Sequence, residues 1–267
     1  MKNPGVIVLI LVVIFLKVGK TYAQEPADFY YNQGNTYYKN GQYDSAIINF
    51  TKAIDINPND VEAYYNRAYT YCSKEQYDRA INDFNKYIDI NPNDVEAYYN
   101  RGVAYYYIGE YDSAISDYNK VIDINPNDVY AYYQRAIAYY NIGKYDRAIS
   151  DYNKDIDINP NDVKAYYNRG VAYYYIGEYD RAINDFNKYI DINPNSVYAY
   201  YKRAVTYYSK GEYDKAWDDV INVKNLGGQI DPDFLKALNE VSEKHKWTSR
   251  REMHRLLQTE SRKFCWI

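Results

Sequence analysis

Histidine and cysteine are almost missing from this 267-residue sequence, with two of each. A catalytic centre needs a nucleophile, a base or a metal with partners in reach. The two histidines, His245 and His254, stand near the C-terminus, and their spacing to Cys72 and Cys265 fits no metal site. Two cysteines are also too few for a disulfide framework. No catalytic residue, metal or cofactor is therefore expected. Long apolar runs are scarce as well: Lys17 interrupts the one at Val6–Leu16 after eleven residues, short of the roughly 20 that a spanning helix needs. Phenylalanine (7) and tryptophan (3) are few, yet tyrosine reaches 39. A residue used that heavily belongs at a repeated position. With 25% charged and 47% hydrophobic residues, the chain falls in the globular range and is expected to fold.

Residues 1–23 differ from everything after them. Lys2, the apolar run and Thr21-Tyr22-Ala23 match a secretory signal peptide cleaved before Gln24, which makes the expected product periplasmic or extracellular. An N-terminal membrane anchor is the alternative. No cysteine follows Ala23, so a lipid-modified N-terminus is not expected. Charge is also uneven. Residues 24–243 hold 22 Lys+Arg and 34 Asp+Glu, net −12, whereas 244–267 hold seven and two, net +5. An acidic body argues against nucleic acid as its ligand, because phosphate neutralisation dominates that affinity. The basic tail is suited to touching an anionic surface.

The tyrosines follow a period of 34. Ala46, Ala80, Ala114, Ala148, Ala182 and Ala216 are equally spaced, as are Pro58, Pro92, Pro126, Pro160 and Pro194. With this alanine at position 20, the repeats run 27–60, 61–94, 95–128, 129–162, 163–196 and 197–230. Position 4 is Tyr, 8 is Gly or Ala and 11 is Tyr, which places one stripe on a first helix at about 100° per residue. Gly at position 15, replaced only by Glu75, signals a helix C-terminus. The Tyr-Asp pair at 17 and 18 offers an N-cap for a second helix. Ala at 20 and, in the first five copies, Ile at 21 (Trp217 in the last), Phe or Tyr at 24 and Ile at 28 form its apolar stripe, and the Asn-Pro-Asn turn stops it.

This pattern resembles the tetratricopeptide repeat over 204 residues: Gly/Ala at 8, Tyr at 11, Ala at 20, Phe/Tyr at 24 and Pro at 32. The resemblance implies an all-α, right-handed superhelical solenoid of six helix-turn-helix repeats. The sixth repeat departs from it, with Val220 at 24 and Leu226-Gly227-Gly228 in place of the turn. Asp231-Pro232 then starts a capping helix over 231–246, bearing Phe234, Leu235, Leu238 and Val241 to cover the last hairpin. In the tail, 247–267, Ser249 to Glu252 has capping-box spacing, and a basic amphipathic helix and a solvated terminus are equally compatible with it.

Three repeated constellations bear on function. Arg67, Arg101, Arg135, Arg169 and Arg203 at position 7 accompany Asp83, Asp117, Asp151, Asp185 and Asp219 at 23; in the first repeat both change together, to Gln33 and Asn49. Joint loss of both charges points to structural partners rather than an anion-binding row. The string from Asp55 to Asp60 superficially matches a calcium loop, but it lacks the glycine at loop position 6 and a Glu at 12, so turn and cap chemistry is expected. In solenoids of this family the arc beside the buried stripe lines a concave groove. The candidate groove residues at position 5 are Tyr31, Tyr65, Tyr99, Tyr133, Tyr167 and Tyr201. Position 6 adds Asn32, Asn66, Asn100, Gln134 and Asn168, and position 12 adds Tyr106, Tyr140 and Tyr174. Some family members clamp chaperone C-termini through Lys at position 5 and Asn at 9; position 5 is Tyr throughout here, so that clamp is not expected. The reading is a non-enzymatic scaffold holding an extended protein or peptide partner. A carbohydrate-binding module using the tyrosine faces and an architectural spacer in an envelope assembly are the alternatives.

Overall fold

The computed structural model describes residues 26–243. The expected signal peptide, the last three residues of the expected capping helix and the basic tail lie outside the described residues. The chain divides into two compact units, residues 1–109 and 110–267. The first holds α1 (Ala27–Lys39), α2 (Tyr43–Ile56), α3 (Val61–Ser73), α4 (Tyr77–Ile90) and α5 (Val95–Tyr107). The second holds α6 (Tyr111–Ile124), α7 (Val129–Asn141), α8 (Tyr145–Ile158), α9 (Val163–Tyr175), α10 (Tyr179–Ile192), α11 (Val197–Lys210) and α12 (Tyr213–Asn225). Residues 232–243 form α13. No strand occurs among the described residues, and within each unit successive helices pack as neighbours. The fold is an all-α helical repeat.

Each helix boundary has a local cause. Asp60, Asp94, Asp128 and Asp162 cap the first helix of the next repeat by accepting from the backbone N–H three residues on, at 2.9–3.1 Å. Asn57, Asn125 and Asn159 close the preceding turn by accepting from the N–H two residues on. The residues of the calcium-like string are thus spent on turn and cap geometry. Inside the hairpin, Gly41, Gly109, Gly143, Gly177 and Gly211 take φ of 73–87°, the left-handed conformation that ends a helix without a Cβ penalty. Glu75 adopts φ 57° at the same place. The second helices then begin at Tyr43, Tyr77, Tyr111, Tyr145, Tyr179 and Tyr213, two residues earlier than an Asp N-cap would allow. Their cap residues, such as Gln42 and Gln76, make no side-chain cap bond. Because the chain re-enters a helix directly after the left-handed residue, Asp44 and its counterparts lie inside the first turn, where they favour the helix through its dipole instead.

Packing uses two sides of every first helix rather than the single stripe read from the sequence. One side meets its own second helix. Gly34 lies so close to Phe50 that an added Cβ would sit 2.6 Å from the ring, which justifies a glycine that costs a helix interior about 1 kcal/mol. The other side meets the preceding repeat. Ala63 is fully buried in a cluster with Ala53 and Ile54 of α2, and Ala97 with Tyr87 and Ile88 of α4. At the far end α13 lays Leu238, Phe234 and Leu235 on Ala204, Ala216 and Val220, and Trp217 Nε1 donates to Ser242 Oγ at 3.0 Å.

The position 7 arginines tie these layers together. Arg67, Arg135, Arg169 and Arg203 each donate Nε and Nη2 to the two carboxylate oxygens of Asp83, Asp151, Asp185 and Asp219, at 2.6–2.8 Å. The remaining Nη1 reaches back one repeat, to Thr51, Asn119, Asn153 and Asn187, and Arg101 reaches Asn85 in the same way. Tyrosines at positions 4 and 11 flank the guanidinium, as Tyr132 and Tyr139 do at Arg135, 5.5 and 5.9 Å away. Burial alone would weaken the arginine's hold on its proton, but the bonds to Asp151 reverse that and push the Arg135 pKa up. In the first repeat Asn49 turns back to donate to Ser45 O instead.

Removing one partner strands a part-buried charge. Arg135→Gln and Asp151→Asn should each cost about 3 kcal/mol, and the double variant at least about 1 kcal/mol less than their sum. Urea unfolding of the four proteins in the cycle measures this; additive losses would contradict the pairing.

Candidate functional site

Within each unit, several of the candidate groove residues are joined from one repeat to the next by hydrogen bonds of two kinds. In the first unit Asn66 Nδ2 donates to Tyr31 Oη at 2.9 Å and Asn100 Nδ2 to Tyr65 Oη at 3.0 Å. In the second, Asn168 Nδ2 donates to Tyr133 Oη at 2.9 Å. Each bond joins position 5 of one repeat to position 6 of the next. Stacking explains it: consecutive first helices lie alongside, which sets position 5 of one beside position 6 of the next, while the position 5 ring also rests on its own second helix. The second ladder joins position 12 to position 13 of the next repeat, as in Tyr38 Oη with Ser73 Oγ and Ser209 Oγ with Tyr174 Oη, both at 3.4 Å.

The carboxamides are therefore positioned by the fold before any ligand arrives. Asn66, Asn100 and Asn168 each commit one N–H to a tyrosine, and their amide oxygens accept no hydrogen bond among the described residues. One acceptor and one further donor per repeat remain. Gln134 also has a polar partner. Asn32 is exposed and Tyr201 is half-buried beside Phe234.

The position 5 rings are half-buried. Tyr31 meets Phe50, Tyr65 meets Phe84 and Tyr87, and Tyr167 meets Phe186 and Tyr189, at 4.9–6.0 Å. Burial, and then the nearby Glu96 carboxylate, hold the Tyr65 phenol far above its ordinary range. The position 12 rings join a wider tyrosine lattice: Tyr140 contacts Tyr145 and Tyr175, and Tyr174 contacts Tyr175 and Tyr179. Cys72 replaces one of these tyrosines, and burial raises its thiol to about 11, which leaves little thiolate at neutral pH. No cluster of three metal-ligating side chains occurs among the described residues.

Position-by-position reading from sequence missed the most accessible aromatics. Tyr130 is 73% exposed and Tyr198 77%, both at position 2. Tyr107 and Tyr175, at position 13 and 61% and 51% exposed, stack face to face on Tyr77 and Tyr145 at 4.9 and 5.0 Å. The signal for these four was departure from the repeat, since positions 2 and 13 vary among copies while positions 5 and 12 hardly do.

Comparison with known proteins fits this architecture. Models described as tetratricopeptide repeat match residues 95–128, 163–196, 117–150 and 186–218, and a TPR repeat model matches 34–71, 68–109 and 138–177. Together they run without a gap from residue 34 to 218. Among solved structures, a MamA protein is 31% identical, covering 62% of this chain and 90% of its own, with a TM-score of 0.60. YrrB, described as a TPR protein with an unusual peptide-binding site, is 25% identical over 69% of this chain and 95% of its own, also at 0.60. A MamA from Desulfovibrio magneticus RS-1, at 22% identity and 0.61, shares the fold. No curated protein matches.

The ladder bonds make a measurable structural contribution. Tyr31→Phe and Asn66→Ala should each lower stability by about 1 kcal/mol, and the double variant should lose little more than Asn66→Ala alone. Urea midpoints of the three variants test it, and independent losses would mean that the bond is not shared.

Proposed function

The chain belongs to the tetratricopeptide-repeat family, and from that premise we propose that it is a non-enzymatic interaction scaffold whose first-helix face holds an extended segment of a partner protein. The observation that carries this reading is the fixed carboxamide on the first helices of each unit. Asn66, Asn100 and Asn168 are oriented by Tyr31, Tyr65 and Tyr133, and each keeps an oxygen and an N–H to offer. One such pair per repeat suits the main-chain N–H and C=O of an extended peptide and is indifferent to its sequence. Half-buried tyrosines alongside supply large, rigid contact area at little rotamer entropy. The holding energy already spent on the ladder lowers the cost of ordering these groups on binding. The peptide-binding site named for YrrB supports a peptide as the kind of ligand.

A randomised peptide array probed with the purified protein should give broad binding that falls at least about tenfold when the bound peptides carry N-methylated backbone amides. The triple replacement of Asn66, Asn100 and Asn168 by Ala, assayed where circular dichroism shows it folded, should fall similarly. Equal binding of methylated and unmethylated peptides would refute main-chain recognition, and a glycan array run in parallel separates the carbohydrate reading.

We also propose export. It rests on Lys2, the Val6–Leu16 run and the Thr21-Tyr22-Ala23 site. The intact mass of the native protein should correspond to a chain starting at Gln24; a mass retaining residues 1–23 would point to an anchor.

A further inference from the structure

One buried group belongs to no ladder, pair or cap. Position 27 lies on the second helix of each hairpin, where it meets the following repeat. It is Ala53, Tyr87, Val121, Tyr189 and Val223 in five repeats, and Asp155 in the fourth. Asp155 is 0% exposed, and neither carboxyl oxygen has a hydrogen-bond partner in the protein. An isolated charge there is strongly disfavoured. We propose that Asp155 makes the joint between the fourth and fifth hairpins a proton-controlled one, closed while its carboxyl is neutral and loosened when it ionises.

The surroundings offer the charge no compensation. The helices packed against α8 are α7 and α9. At the positions facing Tyr87 and Tyr189 in the sister repeats, α7 presents Tyr130 and Tyr133, while α9 and its cap present Asp162, Lys164 and Tyr166. Of these, Asp162 acts on the group, and its charge further opposes ionisation. In the second repeat the corresponding contact is favourable, because Tyr87 Oη donates to Asp94 at 2.8 Å. Replacing that phenol by a carboxyl turns a donor facing a carboxylate into two acids facing each other. Asp162 itself accepts from the cap N–H groups of Lys164 and Ala165, at 2.9 and 3.1 Å, whereas Asp155 accepts from none.

Burial, with Asp162, raises the Asp155 carboxyl to about 7, against about 3.9 for an unfolded aspartate. The folded value is the higher one. The joint is therefore at full strength below about pH 4, where open and closed forms both keep the proton; it weakens as pH rises and has lost this contribution above about 7. Burial raises Asp151 and Asp185 as well, but there a bidentate guanidinium opposes the shift, which nothing does at Asp155.

Amide exchange on the full chain at pH 5 and pH 8, corrected for intrinsic rates, tests the joint. Protection of α8 and α9 should fall at least about tenfold at the higher pH, with α11 and α12 changing far less. Asp155→Asn and Asp155→Val should each abolish the difference, and the valine, as in Val121 and Val223, should raise protection at pH 8. His245 and His254 are unchanged in both variants, so their titration cancels. No loss of protection in the parent chain, a loss spread equally over α11 and α12, or the same loss in both variants overturns the proposal.

Discussion

The guanidinium at repeat position 7 is the interaction on which the rest of the stack depends. A single hairpin could bury its apolar stripe and still rotate against its neighbour. Arg135 restricts that freedom. Its Nε and Nη2 are fixed on Asp151 within the hairpin, and its Nη1 is fixed on Asn119 of the hairpin before. Arginine suits the task because its planar fork donates in several fixed directions at once. A lysine has three donors but no planar fork to grip both oxygens of one carboxylate while reaching a second partner.

The tyrosine excess follows from the same stacking. A first helix wedged between two second helices buries small residues on the sides of closest approach, which is why Ala63, Ala97, Ala131, Ala165 and Ala199 are fully buried. The gaps left at the arginine and along the first-helix face are wide and partly polar. Tyrosine fills them with a ring and ends in a hydroxyl that needs a partner. At positions 4 and 11 the ring lies on the guanidinium, and at position 5 the hydroxyl meets a carboxamide one repeat on. The face proposed to bind is thus built from packing residues whose polar ends are regularly presented. Scaffold and site are one set of side chains.

Near-identical repeats also make departures informative. Glu75 stands where glycine is otherwise used, Cys72 where tyrosine is, and Asp155 where apolar or aromatic residues are. The first takes a left-handed backbone, the second is a protonated thiol, and the third is a buried acid without a partner. Position 2 changes from Asp28, Glu62 and Glu96 in the first three repeats to Tyr130, Lys164 and Tyr198 in the last three, so this position is acidic in the first unit and aromatic or basic in the second.

The sequence by itself determined the helical hairpins, their length and the pairing of Arg with Asp, because each depends on chemistry within one 34-residue unit: a glycine at a helix end, a proline in a turn, a charge that cannot be buried alone. Tertiary structure decided what depends on the register between units. The Asn-to-Tyr bonds, the return of each arginine to the previous repeat, the second buried side at position 3 and the partnerless state of Asp155 all depend on what the neighbouring repeat places beside a residue. A helical wheel drawn on one helix has no coordinate for that neighbour. It could place Asn66 and Tyr65 on an open face, but only the stacked helices show that Asn66 is already held by Tyr31, leaving part of its amide to offer a ligand.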